Sequence, residues 1–551
     1  MGTTLADLLE RAAADESAAV VTADGGQCVS LHELLARGQA AAADLRKRGV
    51  RRGDRVGLIA ENDFDFFRAF FGIIYAGAIA VPLAPVSALG GMQSYLAHVR
   101  RIVVDAQMRH IVGSRRVLHV LRRIASGGAE PLGVDLIEED ALPYAGVLLA
   151  EPAEGNSLAV IQYTSGSTTA PRGVMLTHRN IVIGLDAMQR ASAVTAADVL
   201  GIWIPLFHDM GLFSGLSCLA KGGRLILWRP SSFVRKPGLW LREFSAQGCT
   251  LCAAPNFFYD YLAAEASGVR ESLDLSKWRL AHNGAEPVNA STIEQFYHTF
   301  GECGFRREAM FPVYGMAEAT LAVTFPELGT VPHILWVDRD RLTTAGHAQV
   351  ARCGSLGARP LVSVGRPVPG ISVRISDADR AEGMAGEIQI TGLAVTAGYY
   401  RQPPCGLFTR DGWLRTGDLG FFRHRELYVT GRSKDVIKIR GASYFAEDAE
   451  AIVRDLPGVF RKRCAAVRVD GHGSESLALV VETNVESPHE QHSLTDLIKS
   501  EVSTGLGLPD VAVHLVPPRT LPQTSSGKIQ RARVRASLCA GDVLQGAQER
   551  R

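Results

Sequence analysis

Short apolar runs alternate with longer amphipathic stretches through most of the chain. Apolar runs bounded by turn residues are typical of buried strands, whereas a period near 3.6 residues is typical of helices. The pattern predicts strands at 54–60, 158–163, 200–205, 225–228, 250–253 and 279–282, and helices at 64–75, 210–220, 231–246 and 256–267. Because strand–helix alternation covers a sheet with helices on both faces, we expect an α/β fold with mainly parallel sheets.

The pattern changes after about residue 365. Short strands with turn residues between them, at 373–376, 386–391, 417–423 and 426–430, predict a small antiparallel sheet or distorted barrel. Alternation then returns, with helices predicted at 446–455 and 493–503 and strands at 464–468, 478–482 and 511–516. We therefore predict a large N-terminal domain at 1–431 and a compact α+β domain at 432–551.

One uncharged stretch, 69–89, is long enough to cross a bilayer. Two prolines lie in its second half, and Gly72 and Gly77 interrupt it. We interpret it instead as a buried helix at 63–76, a turn at Gly77 and a core strand at 79–83.

The 551 residues have a globular composition, with 46% hydrophobic and 21% charged residues. Lys and Arg total 59 and Asp and Glu 57, so the net charge of +2 gives no reason to expect nucleic acid or an anionic membrane as a partner. Nine cysteines without a secretory segment predict a reduced, cytoplasmic protein. Cys249 and Cys252 have the spacing of a redox pair, but they lie in an apolar strand, so we predict two buried small hydrophobes.

The first segment with chemical character is 163–173, which follows an apolar strand and reads Tyr-Thr-Ser-Gly-Ser-Thr-Thr-Ala-Pro-Arg-Gly. Hydroxyls and backbone N–H groups in a glycine-punctuated loop suit a polyphosphate. The segment is not a Walker loop, because no Gly-Lys-[Ser/Thr] ends it. By itself, a plain surface loop has the same composition.

With five further segments, this loop resembles the motifs of the adenylate-forming superfamily: acyl- and aryl-CoA synthetases, adenylation domains, luciferases and fatty acyl-AMP ligases. The five are 283–287 (Asn-Gly-Ala-Glu-Pro), 313–319 (Val-Tyr-Gly-Met-Ala-Glu-Ala), 416–418 (Thr-Gly-Asp), 431–441 (Gly-Arg-Ser-Lys-Asp-Val-Ile-Lys-Ile-Arg-Gly) and 521–528 (Leu-Pro-Gln-Thr-Ser-Ser-Gly-Lys). They occur in the family's order and extend over nearly the whole chain. The resemblance implies two helix-flanked, mainly parallel sheets and a β-barrel-like subdomain, followed by a smaller mobile domain.

Within the superfamily the chain looks most like the fatty acyl-AMP ligases, on the motifs at 208–212, 283–287 and 314–321. The interval from Tyr314 to Gly365 spans 365 − 314 = 51 residues, which CoA synthetases of the family usually cross in far fewer. The extra residues, about 329–362, fall where these ligases carry an insertion thought to restrain the C-terminal domain. A tolerated expansion of a surface loop is the alternative.

The resemblance also implies roles for single residues in binding ATP and Mg²⁺. It places the β- and γ-phosphates of ATP on the 163–173 loop, and the adenine against the 283–287 segment and the face of Tyr314. It places the ribose on Asp418, with help from Arg432, and Mg²⁺ on Glu318. The nucleotide-binding residues are Thr164, Ser165, Gly166, Ser167, Thr168, Arg172, Gly284, Ala285, Glu286, Tyr314, Gly315, Asp418 and Arg432. A hard cation favours a carboxylate with phosphate oxygens, and one carboxylate can accept both hydrogen bonds of a vicinal diol.

Some of these residues have plainer explanations. Glu318 also suits the start of a helix, and Asp418 suits a turn after a glycine. The family's phosphate loop normally has Gly where this chain has Thr169, and Lys where it has Arg172. These two departures leave the nucleotide affinity open.

Lys528 is predicted to be catalytic, because a cation has to bridge an anionic carboxylate and an anionic α-phosphate as they join. The chain prefers Arg to Lys, so a compact ammonium at this position is not its default cation. Lys434 corresponds to the family's hinge, where a few torsions rotate the C-terminal domain between adenylation and thiol transfer. A plain linker lysine is the alternative there.

His208 is predicted at the mouth of an acyl pocket, as a third catalytic-site residue beside Lys528 and Glu318. Further predicted wall residues are Phe207, Phe213, Phe257 and Met316. Ordinary core packing explains the same residues.

The predicted activity is ATP- and Mg²⁺-dependent conversion of a fatty or related carboxylic acid to acyl-AMP with release of pyrophosphate. The acyl group then passes to the phosphopantetheine thiol of an acyl carrier protein in a polyketide or peptide assembly line. A conventional acyl-CoA synthetase, with CoA as acceptor, and a non-catalytic acyl- or nucleotide-binding relative remain as alternatives. Neither nucleic acid nor stable membrane insertion is expected.

Overall fold

A computed structural model describes residues 3–14, 17–23, 26–85, 92–126, 132–145, 153–164, 171–376, 382–439, 442–470, 475–508, 511–523 and 528–540. The helices are α1 (Leu5–Ala13), α2 (Leu31–Lys47), α3 (Phe64–Tyr75), α4 (Met92–Ala106), α5 (Arg115–Ser126), α6 (His178–Ala191), α7 (Asp209–Leu219), α8 (Pro230–Arg235), α9 (Pro237–Ala246), α10 (Asn256–Glu265), α11 (Ala290–Phe300), α12 (Arg339–Ala345), α13 (Ala446–Val453), α14 (Pro488–Leu506) and α15 (Arg531–Cys539).

The strands are β1 (Ala19–Thr22), β2 (Gln27–Ser30), β3 (Arg55–Ile59), β4 (Ile79–Pro82), β5 (His110–Gly113), β6 (Asp135–Glu138), β7 (Leu158–Thr164), β8 (Arg172–Thr177), β9 (Val199–Ile202), β10 (Arg224–Leu227), β11 (Leu251–Ala254), β12 (Leu280–Asn283), β13 (Met310–Pro312), β14 (Tyr314–Gly315), β15 (Ala322–Phe325), β16 (Ile334–Asp338), β17 (Ala358–Val362), β18 (Arg366–Pro367), β19 (Ile371–Ile375), β20 (Gly386–Gly392), β21 (Leu414–Arg423), β22 (Glu426–Arg432), β23 (Val436–Ile439), β24 (Ala442–Phe445), β25 (Cys464–Asp470), β26 (Glu475–Glu482) and β27 (Ala512–Val516).

Two large sheets organise the N-terminal part, as the alternation of elements predicts. One has the order β13-β12-β11-β9-β10-β1-β2 and is parallel except where β1 pairs with β2. The other has the order β6-β5-β3-β4-β7-β8 and is parallel except where β7 pairs with β8. The carboxyl ends of β11, β12 and β13 lead into the candidate site, as parallel sheets commonly arrange.

The described part of the uncharged stretch, 69–85, contains the end of α3, a turn at Gly77 and the buried strand β4, as predicted. Gly77 has φ +72°, a conformation that glycine adopts at little cost. Gly72 allows α3 to approach α2, since a Cβ there would lie 2.9 Å from the Cβ of Ala41. Within the described residues, we find no helix both long and apolar enough to span a bilayer.

A four-stranded antiparallel sheet, β19-β20-β21-β22, follows the second large sheet in the chain and confirms the predicted change of pattern. Beyond it, β25, β26 and β27 form a separate sheet with α13 and α14 against it, around a core of its own that includes Val453, Leu479 and Ile498. The residues after Arg432 are called the C-terminal segment below. Its boundary as an independent domain stays a prediction.

Three regions differ from the predicted elements. The helix predicted at 231–246 is two helices, α8 and α9, because Pro237 lacks an N–H and begins the second one. Residues 329–362 are not a plain loop, since β16 pairs with β17 in register from Ile334 to Asp338 and α12 lies between them. The N-terminal elements α1, β1, β2 and α2 were not predicted.

The buried histidine at the start of α6 gives a stability prediction. The Nδ1 of His178 accepts a hydrogen bond from the backbone N–H of Leu5 at 3.3 Å, and burial lowers the pKa of His178 to about 4. The unfolded chain, whose histidine titrates near 6.5, therefore binds this proton more readily than the folded protein does. The contribution to stability is fully present above pH 6.5 and is lost as the pH falls toward 4.

We expect this one histidine to add a slope of up to about 1.4 kcal/mol per pH unit to the free energy of unfolding in that window. Urea unfolding at pH 7, 6 and 5 measures the slope. His178→Gln should flatten it, and His489→Gln, at an exposed position of α14, should leave it unchanged. Equal slopes in the wild type and His178→Gln would show that His178 does not carry the effect.

Candidate active site

A cavity of about 1910 Å³ lies between the carboxyl ends of the first large sheet, the β14–β15 region and the C-terminal segment. Lys528, Tyr314, Asp418, Glu318 and His208 all line it. These residues are up to 320 positions apart (528 − 208) in the sequence. The fold thus brings together most of the predicted site residues that it describes.

The loop after β12 has a backbone that few residues other than glycine can supply. A Cβ on Gly284 would lie 2.6 Å from the Cγ2 of Val313 and 2.7 Å from its carbonyl oxygen, and Ala285 has φ +64°. Glu286 Oε1 accepts a hydrogen bond from the backbone N–H of Phe257 at 2.6 Å, and burial raises the pKa of Glu286. Ala285 and Glu286 line the cavity, whereas Gly284 shapes the loop behind them.

Tyr314, Asp418 and Arg432 form one hydrogen-bonded cluster. The hydroxyl of Tyr314 donates to Asp418 Oδ2 at 2.8 Å, and Arg432 Nε lies 2.9 Å from Asp418 Oδ1. Asp418 and Arg432 are direct partners in the register of β21 and β22, which explains their proximity. Burial raises the pKa of Tyr314, and the Asp418 carboxylate adds to that effect. The sequence alone did not indicate the hydrogen bond between Tyr314 and Asp418.

Glu318 lies at the opposite wall, in a tight turn. A Cβ on Gly315 would lie 1.9 Å from the carbonyl oxygen of Leu321, so the turn needs glycine there. Tyr399 donates its hydroxyl to Glu318 Oε1 at 2.6 Å, and the Arg172 guanidinium lies 5.4 Å from the centre of the Tyr399 ring. Burial raises the pKa of Glu318. Tyr399 was missed by the sequence analysis, because it belongs to none of the six motifs.

The chemistry of the donors fits a Mg²⁺–nucleotide complex. Glu318 offers a carboxylate in the cavity, and phosphate oxygens of the nucleotide and water would complete the coordination of a hard cation. The described residues contain no cluster of three or more His, Cys, Asp or Glu that could hold a metal ion.

Lys528 lies among acidic groups of the N-terminal part. Burial lowers the pKa of Lys528, and the charges of Asp209, Glu286 and Asp418 oppose that shift. His208 is next to this group, and its burial, with the positive charge of Lys528, lowers the pKa of His208 to about 3. At neutral pH His208 is therefore an uncharged imidazole. Asp209, which follows His208 in its motif, was not singled out from the sequence.

The predicted phosphate loop is described only at its edges. Thr164 ends β7 and lines the cavity, and Arg172 begins β8 on the other side. Ser165, Gly166, Ser167 and Thr168 lie outside the described residues. Lys434, the predicted hinge, lies in a 3₁₀ turn between β22 and β23 and also lines the cavity.

The predicted pocket residues differ in their position relative to the cavity. His208, Phe257 and Met316 line it, but Phe207 and Phe213 are not among its described lining residues. Phe213 is fully buried in the main core, because α7 turns Met210, Ser214 and Ser217 toward the cavity. The assignment of Phe207 and Phe213 to the pocket wall stays a prediction, and the Phe207 ring lies 4.3 Å from that of His208, which does line the cavity.

The cavity has an apolar branch that the sequence analysis did not assign. It lies between the first large sheet and the helices α6 and α7, and its walls include Met188, Val194, Leu200, Leu251 and Ala253. Cys249 and Cys252 are buried and free in the adjacent strand region, which confirms that they pack as small hydrophobes.

Comparison with known proteins identifies the family. The model of the AMP-binding enzyme family matches residues 9–400. The chain is 33% identical over 543 residues to the medium-chain-fatty-acid–[acyl-carrier-protein] ligase JamA of Moorena producens, covering 94% of this chain and 91% of that protein. It is 33% identical over 540 residues to the long-chain-fatty-acid–AMP ligase FadD26 of Mycobacterium marinum, covering 91% of this chain and 89% of that protein.

A solved structure from work on fatty acyl-adenylate ligases of E. coli and L. pneumophila superimposes with a TM-score of 0.90 at 30% identity, covering 98% of each chain. The agreement extends over the large N-terminal part and the C-terminal segment together. From these matches and the geometry of its cavity, the chain belongs to the AMP-binding enzyme family and is an adenylate-forming ligase.

Proposed function

We propose that this protein activates a fatty acid as acyl-AMP, releasing pyrophosphate from ATP, and then transfers the acyl group to the phosphopantetheine thiol of an acyl carrier protein. The observation that carries the proposal is the position of Lys528, which lies among Asp209, Glu286 and Asp418 in a cavity with an apolar branch. Family membership supports the first half-reaction, and the similarity to a carrier-protein ligase supports the second.

Each group then has a defined task. Asp418 and Arg432 bind the ribose, and the ring of Tyr314 lies against the adenine. Lys528 neutralises the carboxylate and the α-phosphate as the C–O–P bond forms and pyrophosphate leaves. Mg²⁺ on Glu318 would supply charge neutralisation at the phosphates. The neutral His208 borders the acyl site without adding a charge that would have to be desolvated.

The apolar branch favours an alkyl chain over an amino acid. Its described walls are aliphatic or small side chains of α6, β9 and β11. Burying an alkyl chain there gains about 0.8 kcal/mol per methylene. The carboxylate next to residue 208, Asp209, is already close to the ammonium of Lys528, so an α-ammonium would have to compete with Lys528 for it.

The primary test is acid-dependent exchange of labelled pyrophosphate into ATP, with acids from aryl to long alkyl. Exchange only with alkyl acids is the expected result. A protein that binds nucleotide and acid without exchange would be the non-catalytic relative, and the proposal would fail. CoA and a holo carrier protein, compared as acceptors, separate the proposed ligase from a conventional acyl-CoA synthetase.

A specific set of contacts favours the carrier protein over CoA. Two arginines of the 329–362 region contact the C-terminal segment. Arg359 Nε lies 2.7 Å from Oδ1 of Asp448, a buried residue of α13. Arg339 donates a hydrogen bond to the backbone carbonyl of Gly505 near the end of α14. This region therefore contacts the C-terminal segment at two places. Such contacts oppose the rotation that thiol transfer requires, and a docked carrier protein can offset this restraint with binding energy that free CoA does not supply.

The Arg339→Ala/Arg359→Ala double variant is expected to raise acyl-CoA formation about 3- to 10-fold, the effect of removing ~0.7–1.4 kcal/mol of restraint. Point variants are cleaner than deletion of 333–355, because that deletion removes β16 and leaves its partner β17 unpaired. Arg341→Ala, exposed on α12, is the matched control. An unchanged rate with CoA would favour a plain surface expansion.

A further inference from the structure

Asp260, on α10, is a buried acid of the N-terminal part at its contact with the C-terminal segment. Only 9% of the residue is exposed. Two cations of the C-terminal segment reach it: Arg454 donates to Oδ2, and Lys462 Nζ lies 3.1 Å from Oδ1. On its other side, Thr292 Oγ1 donates to Oδ1 at 2.9 Å and Asn256 Nδ2 donates to Oδ2 at 3.3 Å. Four donors, two from each side, thus occupy one carboxylate, about the number that it can accept.

Asn256 continues this network to the nucleotide loop. Its Oδ1 accepts hydrogen bonds from Asn283 Nδ2 at 3.3 Å and from the backbone N–H of Asn289 at 3.1 Å. Asn283 begins the 283–289 loop and Asn289 ends it, so one amide holds both ends. Asn256 and Asn283 are almost completely buried, with 2% and 0% exposure. Movement of the loop is therefore transmitted to the side chains that hold Asp260.

The C-terminal side of the contact is built with strained backbone. Arg461 and Lys462 have φ +48° and +57°, values that residues other than glycine rarely adopt. Lys462 also donates to Gln295 Oε1 at 2.7 Å and pairs with Asp455 at 2.9 Å. The strained turn thus directs the Lys462 ammonium toward the N-terminal part.

A second ion pair on the same interface is solvated. Arg461 and Glu265 lie 3.0 Å apart, with side chains 42% and 40% exposed. Exposed pairs contribute little, whereas removal of one partner from a buried pair is costly because it leaves an unpaired charge. The two pairs differ mainly in burial, which makes the exposed one a matched control.

We propose that Asp260 is a positioning residue that couples the 283–289 nucleotide loop to the C-terminal segment, so that an ordered loop favours the pose in which Lys528 enters the cavity. The proposal rests on the function proposed above. Asp260 contacts no reacting atom and acts through Arg454, Lys462 and Asn256. The coupling is reciprocal: holding the segment in this pose also holds the loop in the shape that accepts adenine.

Asp260→Asn tests this coupling, because it keeps the size of the side chain and removes the charge. We expect adenylation, measured by pyrophosphate exchange, to fall about tenfold, and the KM for ATP to rise. Transfer from purified acyl-AMP to a holo carrier protein should be unchanged or faster, since that step does not need Lys528 in place. Glu265→Gln should alter neither half-reaction.

Two outcomes would overturn the proposal: an unchanged adenylation rate, or an equal fall of both half-reactions with a lower melting temperature. The latter would show a merely structural role. Arg454→Met and the Asp260→Asn/Arg454→Met double variant complete a double-mutant cycle. In that cycle the effects of the two single substitutions on adenylation should not add. If the wild type itself shows no pyrophosphate exchange, the proposed function fails. If the wild type exchanges pyrophosphate and Asp260→Asn does so at the same rate, the proposed function stands and only the coupling through Asp260 fails.

Discussion

Replacement of Lys528 by alanine is expected to lower acid-dependent pyrophosphate exchange by about 10²–10³-fold. The proposed mechanism puts Lys528 where the carboxylate and the α-phosphate meet, and the lysine lies among Asp209, Glu286 and Asp418. Removing one preorganised donor for transition-state charge costs about 3–4 kcal/mol. The alanine variant also leaves Asp209, Glu286 and Asp418 without the ammonium whose charge interacts with all three.

The matched control is Lys438→Ala, an exposed lysine on β23 of the same segment. It should exchange pyrophosphate at the wild-type rate. Transfer of the acyl group from purified acyl-AMP should survive in Lys528→Ala, because the adenylate is already formed. Lys528→Arg should recover only part of the activity, since a planar guanidinium does not occupy the place of a compact ammonium. Full adenylation by Lys528→Ala would contradict the proposed mechanism.

The pH profile provides a second measurement on the same residue. Because burial lowers the pKa of Lys528, its charge is lost at lower pH than that of an ordinary lysine. Adenylation needs the charged form, so its rate should fall on the alkaline side before exposed lysines titrate. The rate of acyl transfer from purified acyl-AMP should not show this fall at alkaline pH.

Glu318→Gln is expected to lower adenylation by about 10²-fold and to raise the Mg²⁺ concentration for half-maximal rate. Glutamine keeps the hydrogen-bond acceptor for Tyr399, so the wall of the cavity stays intact. What it removes is the anionic oxygen that a hard cation prefers. A Mg²⁺ titration of pyrophosphate exchange separates lost metal affinity from lost folding.

Glu327→Gln is the control for this variant. Glu327 follows β15, nine positions after Glu318, and its side chain is 63% exposed. Its Mg²⁺ dependence should equal that of the wild type. Should Glu318→Gln lose activity with an unchanged Mg²⁺ dependence, Glu318 would act by shaping the turn and not by binding the metal. Tyr399→Phe then offers a further check, because it frees the Glu318 oxygen that Tyr399 occupies.

The placement of single side chains was the less predictable part of the site. His208 and Met316 were expected at the acyl end and do line the cavity, but Phe213 packs in the core while Ser214 beside it faces the cavity. Neighbouring positions on a helix differ by about 100° in direction, so a one-residue difference decides between core and cavity. A sequence motif identifies the region of the site, but it does not determine in which direction around the helix axis each side chain points.

Local patterns in the sequence are enough to predict the α/β class, the change to antiparallel strands after about 365, and the identity of the motifs. These are local properties, since periodicity and turn chemistry act over a few residues. Helix α3 begins and ends where its pattern predicts, and β20 begins where predicted.

Which groups meet depends on the three-dimensional fold. Asp418 contacts Tyr314 through the placement of β21, Tyr399 reaches Glu318 across 81 positions, and Asp260 lies against Arg454 and Lys462 of a separate core. Such contacts depend on sheet order, register and the pose of one segment on another. Those are set by the packing of the whole chain, and no local run of residues encodes them.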